Sequence, residues 1–141
     1  MPDLARLRAY IDSNVLFSAS LKVDSDFLNL WRLREVVPVV SHYAIDEVVR
    51  NVASAAHNAR LSMLLTRTQI VSDADVRLIP SHARLVLKDQ PILAAAIAAS
   101  VDYLITGDKA HFGHLYNKKI AHVYVINPSD FLALYEERLP Q

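Results

Sequence analysis

An α/β fold, with a mainly parallel sheet wrapped by helices on both faces, is predicted by three features of the 141-residue chain. Short apolar runs alternate with segments of helical periodicity. Helix-start signals stand where those segments begin. The composition, 52% hydrophobic and 21% charged, is that of a globular protein with a real core. One domain over residues 1–141 is the expectation.

Taken in order, a first short apolar strand runs from Arg8 to Asp12, inside "AYIDSNVLF". Asp12, Ser13 and Asn14 also read as a helix start, because their side chains satisfy free backbone N–H groups. "SDFLNLWRLRE" sets Phe27, Leu30, Trp31 and Arg34 at helical spacing, with Ser25 or Asp26 as cap. "VVPVVS" is a second strand whose Pro38 points to an edge or an irregularity. "HYAIDEVVRNVASAAH" then carries Ile45, Val48, Val49 and Val52 on one helical face. "NARLSMLLTR" is a further helix, and "QIVSD" a third strand. "HARLVLKD" is ambiguous between strand and loop. "QPILAAAIAAS" is a helix with Asp89 at its cap and Pro91 in its first turn. "DYLITGD" is a strand running into a turn at Gly107, "AHVYVIN" a last strand, and "PSDFLALYEERL" a closing helix.

Several function classes are excluded early. No apolar stretch reaches the roughly 20 residues a membrane span needs, and "MPDLARLRAY" has no signal-peptide core between its charges. With no cysteine, disulfide and thiolate chemistry are absent and a cytoplasmic location is the default. Two glycines are too few for a Walker or dinucleotide-binding loop. Fifteen basic residues balance fifteen acidic ones, which argues against a strongly basic nucleic-acid coat.

In doubly wound sheets, ligands collect beyond the carboxyl ends of the strands. Asp12 ends the first strand and Asp108 follows the "YLIT" strand. Asp89 opens the Ala-rich helix, and Glu47, with Asp46 as the competing choice beside it, lies in the helix after the second strand. Each has an ordinary reading as a cap, turn or solvated residue, but together they fall at one sheet edge. Carboxylates crowded into one pocket repel and take up protons. A divalent cation removes that conflict, and oxygen ligands suit Mg²⁺ or Mn²⁺. Such an ion generates hydroxide, and a pair about 3.5–4 Å apart stabilises attacking and leaving oxygens at phosphorus.

"IDSNVLFSA", "SHYAIDEVVR", "KDQPILAAAIAASVDYLITGDKAHF" and "VINPSDFL", in that order, resemble the PIN-domain family. The chain looks closest to its bacterial branch of VapC-like toxins from toxin–antitoxin pairs. The resemblance implies a three-layer α/β/α fold and a Mg²⁺- or Mn²⁺-dependent endoribonuclease acting on single-stranded RNA. Asp12, Glu47, Asp89 and Asp108 match the family's four acids. Asn14 matches a polar position supporting the first acid, Thr106 one lining the site beside Asp108, and Ser41 the polar residue ending the second strand. An antitoxin protein as partner and a homodimer are also implied. There is one departure: many relatives carry another acid shortly after the Asp of "TGD", where this chain reads "KAHF". That bears on a second metal and leaves the first intact.

The other candidates read more plainly. His111 and His114 in "HFGH" can share a helix face, but a structural zinc needs four ligands and cysteine is absent. His111 is read as a turn residue or a phosphate contact. Arg32, Arg34, Arg50, Arg60, Arg67, Lys109, Lys118 and Lys119 are candidates for phosphate contacts. Trp31, Leu28 and the apolar face of "NARLSMLLTR" are expected in the core. Two rival functions stand beside the nuclease. One is a phosphoacceptor signalling domain, against which Ser41 rather than Asp ends the second strand. The other is a non-catalytic RNA- or partner-binding module on the same fold.

Overall fold

The computed structural model describes residues 6–138. The start of the expected signal-free N-terminus and Leu139, the last residue of the expected closing helix, lie outside that range. The strands are β1 (Leu7–Ile11), β2 (Val36–Ser41), β3 (Gln69–Val71), β4 (Tyr103–Ile105), β5 (Lys119–Ile120) and β6 (Val123–Ile126). The α-helices are α1 (Ser13–Leu21), α2 (His42–Asn51), α3 (Ala55–Leu65), α4 (Gln90–Ala98), α5 (Lys109–Phe112) and α6 (Pro128–Arg138). They form one sheet of order β3-β2-β1-β4-β6-β5, parallel except for the antiparallel β5–β6 pair.

Side chains of a strand alternate between faces, and the core divides accordingly. Tyr10, Val39, Leu104 and Val125 point to one face, where Ile92, Leu93, Ala95 and Ala96 of α4 and Phe112 of α5 cover them. Ala9, Ile11, Val40, Ile105 and Ile126 point to the other. There they meet Val15 and Leu16 of α1, Val48 of α2, Leu61 and Leu64 of α3, and Phe131 of α6. Three layers result, as the resemblance implies. Trp31 is in the second cluster, with its Nε1–H donating to Thr68 Oγ1 at 2.9 Å.

Pro38 is not on an edge strand, since β2 pairs with both β1 and β3. Pairing with β3 begins only at Val39, so the proline stands where that side of β2 is still open. The stretch Asp26–Trp31 is a 3₁₀-helix rather than an α-helix, capped by Ser25 accepting from the Phe27 N–H. The helix expected over 42–57 is two helices. α2 stops at Val52, and Ser54 starts α3 by accepting from the His57 N–H at 3.0 Å. Val49, expected on the apolar face, is half exposed within α2. "HARLVLKD" is loop, ending in a 3₁₀ turn at Leu87–Asp89.

Five strands run the same way, so their carboxyl ends share one edge of the sheet. β1 releases Asp12 there, β2 Ser41, and β4 Thr106, Gly107 and Asp108. Among the described residues no helix is long and apolar enough to cross a membrane.

Candidate active site

Asp12 does two jobs. Its Oδ1 caps α1 by accepting the Ser13 N–H at 2.7 Å, and its Oδ2 accepts the Thr106 hydroxyl at 2.7 Å. Both anchors are local consequences of the sequence: Ser13 follows Asp12, and Thr106 ends the neighbouring strand in register with it. Asp12 is only 4% exposed. Burial above all, opposed by the two hydrogen bonds and assisted by the charges of Asp89 and Glu47, raises its carboxyl to about 6.

Thr106 is fully buried and ties two acids together, because its Oγ1 also accepts the Asp108 N–H at 3.1 Å. Thr106→Val should therefore lower stability by about 1–3 kcal/mol by stranding both partners, whereas Thr106→Ser should stay close to wild type. Urea midpoints of the three proteins check this, and equal midpoints for Val and Ser would overturn it.

Asp89 stands just before α4, the usual place of a cap, yet makes no capping hydrogen bond. Its backbone is already helical, with φ −97° and ψ −13°, so its carboxylate turns elsewhere. Oδ2 lies 2.8 Å from His111 Nδ1. The same nitrogen is 3.0 Å from Asp108 Oδ2, while Asp108 Oδ1 accepts the His111 N–H at 3.1 Å. Asp89, Asp108 and His111 thus each bring a ligand atom within 4.8 Å of the other two. Burial raises the Asp89 carboxyl; nearby Lys88 and His111 oppose that, and Asp108 adds to it.

Glu47 is half-buried and accepts the Ser13 hydroxyl at 2.9 Å, whereas Asp46 is exposed. It faces an open cleft of about 470 Å³, lined also by Ser13, Asn14, Asn51 and Lys88 over Phe17 and Val48. Asn14 Oδ1 accepts the Gly107 N–H at 3.3 Å, joining α1 to the turn that carries Asp108. Ser41 is fully buried, with its Oγ 2.6 Å from the Tyr10 hydroxyl, so it braces the β1–β2 pair rather than meeting the acids. Arg60 is committed to carbonyls of α1, donating to Ser20 and Leu21.

Three residues of this region carry more than the sequence reading assigned to them. Lys88 lines the cleft, and its carbonyl accepts the Tyr43 hydroxyl at 2.6 Å. Ser13 bridges Asp12 and Glu47. His111 joins the acids, separately from His114, whose Nε2 lies 2.6 Å from the Arg84 carbonyl oxygen. The available signal was D-x-x-H spacing, which puts Asp108 and His111 on one helix face.

The residues present fit a divalent cation. Asp89 Oδ2 and His111 Nδ1 are buried side-chain atoms without a hydrogen-bond partner, despite their closeness. Asp108 stands beside them, Asp12 and Asp89 have raised carboxyl pKa values, and the exposed Lys88 ammonium is only 4.0 Å from Asp89 Oδ1.

The PIN domain model matches residues 8–110. The chain belongs to the PIN domain family. Solved structures that share the fold of this PIN domain include the following three. VapBC2 from Rickettsia felis, bound to a DNA fragment from its promoter, superposes at TM-score 0.65 with 17% identity, covering 86% of this chain and 99% of that one. PAE2754 from Pyrobaculum aerophilum gives 0.62 and 16%, over 94% and 91% of the two chains. VapC20 from Mycobacterium tuberculosis, a sarcin–ricin loop cleaving toxin, gives 0.51 and 14%, over 72% and 92%. Comparison with curated protein sequences gives no match.

Proposed function

We propose that this PIN domain is a metal-dependent endoribonuclease that hydrolyses single-stranded RNA, as the toxin component of a toxin–antitoxin pair. The observation that carries the reading is the meeting of Asp89, Asp108 and His111 at the carboxyl edge of the sheet, with the unpartnered Asp89 Oδ2 among them and Asp12 tied to Asp108 through Thr106. The fold likeness to VapBC2 and VapC20 supports the toxin assignment. An antitoxin partner and a homodimer belong to the same proposal. Light scattering on the purified chain tests the dimer.

Asp12, Asp89 and Asp108 would hold Mg²⁺ or Mn²⁺, with Glu47 beside them. The chemistry such an ion supplies when bound is polarisation of a phosphodiester and acidification of a water. The chain's own contributions are positional and electrostatic. Thr106 and Ser13 fix the Asp12 carboxylate on both oxygens, so little reorganisation is left for the reaction. Glu47, held by the Ser13 hydroxyl, faces the open cleft, where it can orient a water. Lys88 at the rim offers a cation to an RNA phosphate.

Purified protein should cleave end-labelled single-stranded RNA with Mg²⁺ or Mn²⁺ and stop in EDTA. Cleavage that survives EDTA would overturn the metal-dependent reading.

A further inference from the structure

Resting on the metal centre of that reading, we infer that His111 is itself a metal ligand through Nδ1, and that it sets the choice of metal, favouring Mn²⁺-like ions over Mg²⁺. The His111 ring nitrogen Nδ1 stands between two carboxylates. His111 Nδ1 is buried, 2.8 Å from Asp89 Oδ2 and 3.0 Å from Asp108 Oδ2, and makes a hydrogen bond to neither. Asp89, its side chain only 9% exposed, likewise leaves Oδ2 unpartnered. Buried polar atoms are rarely left without a hydrogen bond, and here two such atoms stand 2.8 Å apart.

Atoms arranged as cis ligands of one ion look like this. Octahedral ligands about 2.0–2.1 Å from an ion stand about 2.8–3.0 Å apart along each edge. The two N···O separations fall in that range. The turn that carries the ring is also pre-set. The His111 backbone N–H donates to Asp108 Oδ1, and the next residue, Phe112, is fully buried and anchors the turn in the core.

The consequence is selectivity. An imidazole nitrogen among carboxylates favours transition ions, whereas an all-oxygen set suits Mg²⁺. His111 stands three residues after Asp108, in the stretch where the chain carries "KAHF" and no acid.

The test is direct metal binding to the full chain, with no RNA present. Mn²⁺ binding is followed by the loss of its free-ion electron paramagnetic resonance signal, and Mg²⁺ binding by competition, for wild type, His111→Asp, His111→Ala and His111→Gln. Wild type should show the highest ratio of Mn²⁺ to Mg²⁺ affinity. His111→Asp should lower the ratio at least tenfold. His111→Ala should weaken Mn²⁺ at least tenfold and Mg²⁺ by less than threefold. His111→Gln, which keeps the bulk, serves should the alanine protein fail to fold, and should behave like it. Equal ratios in all four proteins would overturn the inference. So would tighter binding of both ions to His111→Ala, which would make the histidine a stand-in for the cation rather than its ligand. RNA cleavage is scored separately. Histidine-dependent Mn²⁺ binding without cleavage keeps this inference and removes the nuclease reading, while metal-dependent cleavage with His111-independent binding does the reverse.

Discussion

Asp12→Asn should cut metal-dependent RNA cleavage by about 100-fold or more and yet make the metal-free protein more stable. The carboxylate is buried, and burial with the neighbouring Asp89 and Glu47 charges raises its pKa from 3.8 to about 6. The folded state therefore holds this proton more tightly than the unfolded chain does. Stability from the group is full below about pH 4, falls as pH rises through about 6, and is gone above it. At neutral pH the ionised Asp12 is a cost on the order of 2–3 kcal/mol. The amide removes the charge and keeps an oxygen for the Ser13 N–H, while the Thr106 hydroxyl can turn to accept from its NH₂. Thermal melting in EDTA between pH 4 and 8 reads this directly: wild type should lose stability across the range and the variant should lose less. Saturating Mn²⁺, at about 100 times its Kd, should stabilise wild type by about 2.7 kcal/mol, and the variant far less. A variant that cleaves like wild type would sink the assignment of Asp12 to the centre.

Phe112→Ala should cost about 3–5 kcal/mol, the usual range for deleting a buried aromatic ring. Against typical total stabilities of about 5–15 kcal/mol that is a large share. Phe112 is fully buried on the α4 face of the sheet, packed in the cluster that contains Tyr10, Leu104 and Val125. Its N–H donates to the Asp108 carbonyl at 2.8 Å. The helix that carries it has four residues, too few to hold its own shape in water. Asp108 and His111 are thus kept near Asp89 by the Phe112 anchor. The urea midpoint should drop sharply for Phe112→Ala and modestly for Phe112→Leu. Where the alanine protein still folds, its Mn²⁺ affinity should fall as well. An unchanged midpoint would show that the ring is not the anchor.

How far the sequence could be read depended on whether the deciding contact was local. The first strand, the Asp12 cap and the Pro91 helix start are local patterns, and each lies where the residues put it. The break between α2 and α3 also has a local cause, Ser54, but three alanines around it, at 53, 55 and 56, mask it within an apparently continuous helix. β5 escaped because the turn into β6 carries no glycine: Ala121 takes the left-handed conformation instead, at φ 58°. Asp26–Trp31 has helical spacing but settles as 3₁₀ turns, where its Leu30 and Trp31 reach the core.

By itself, the order of residues determined the alternation of strands and helices, and with it the common edge at which Asp12, Ser41 and Asp108 leave their strands. That follows from a side-chain period of two and from parallel pairing, both written into the chain. Only the tertiary structure decided what the carboxylates do there. Asp89 has the position of a cap, but the turn before α4 places its backbone in the helical region, out of reach of the amides it would cap. His111 has the spacing to share a face with Asp108, but its second neighbour, Asp89, arrives from a different element. Which lone pairs are left over is settled by those long-range contacts, because a hydrogen bond made or missed depends on orientation that no local pattern carries.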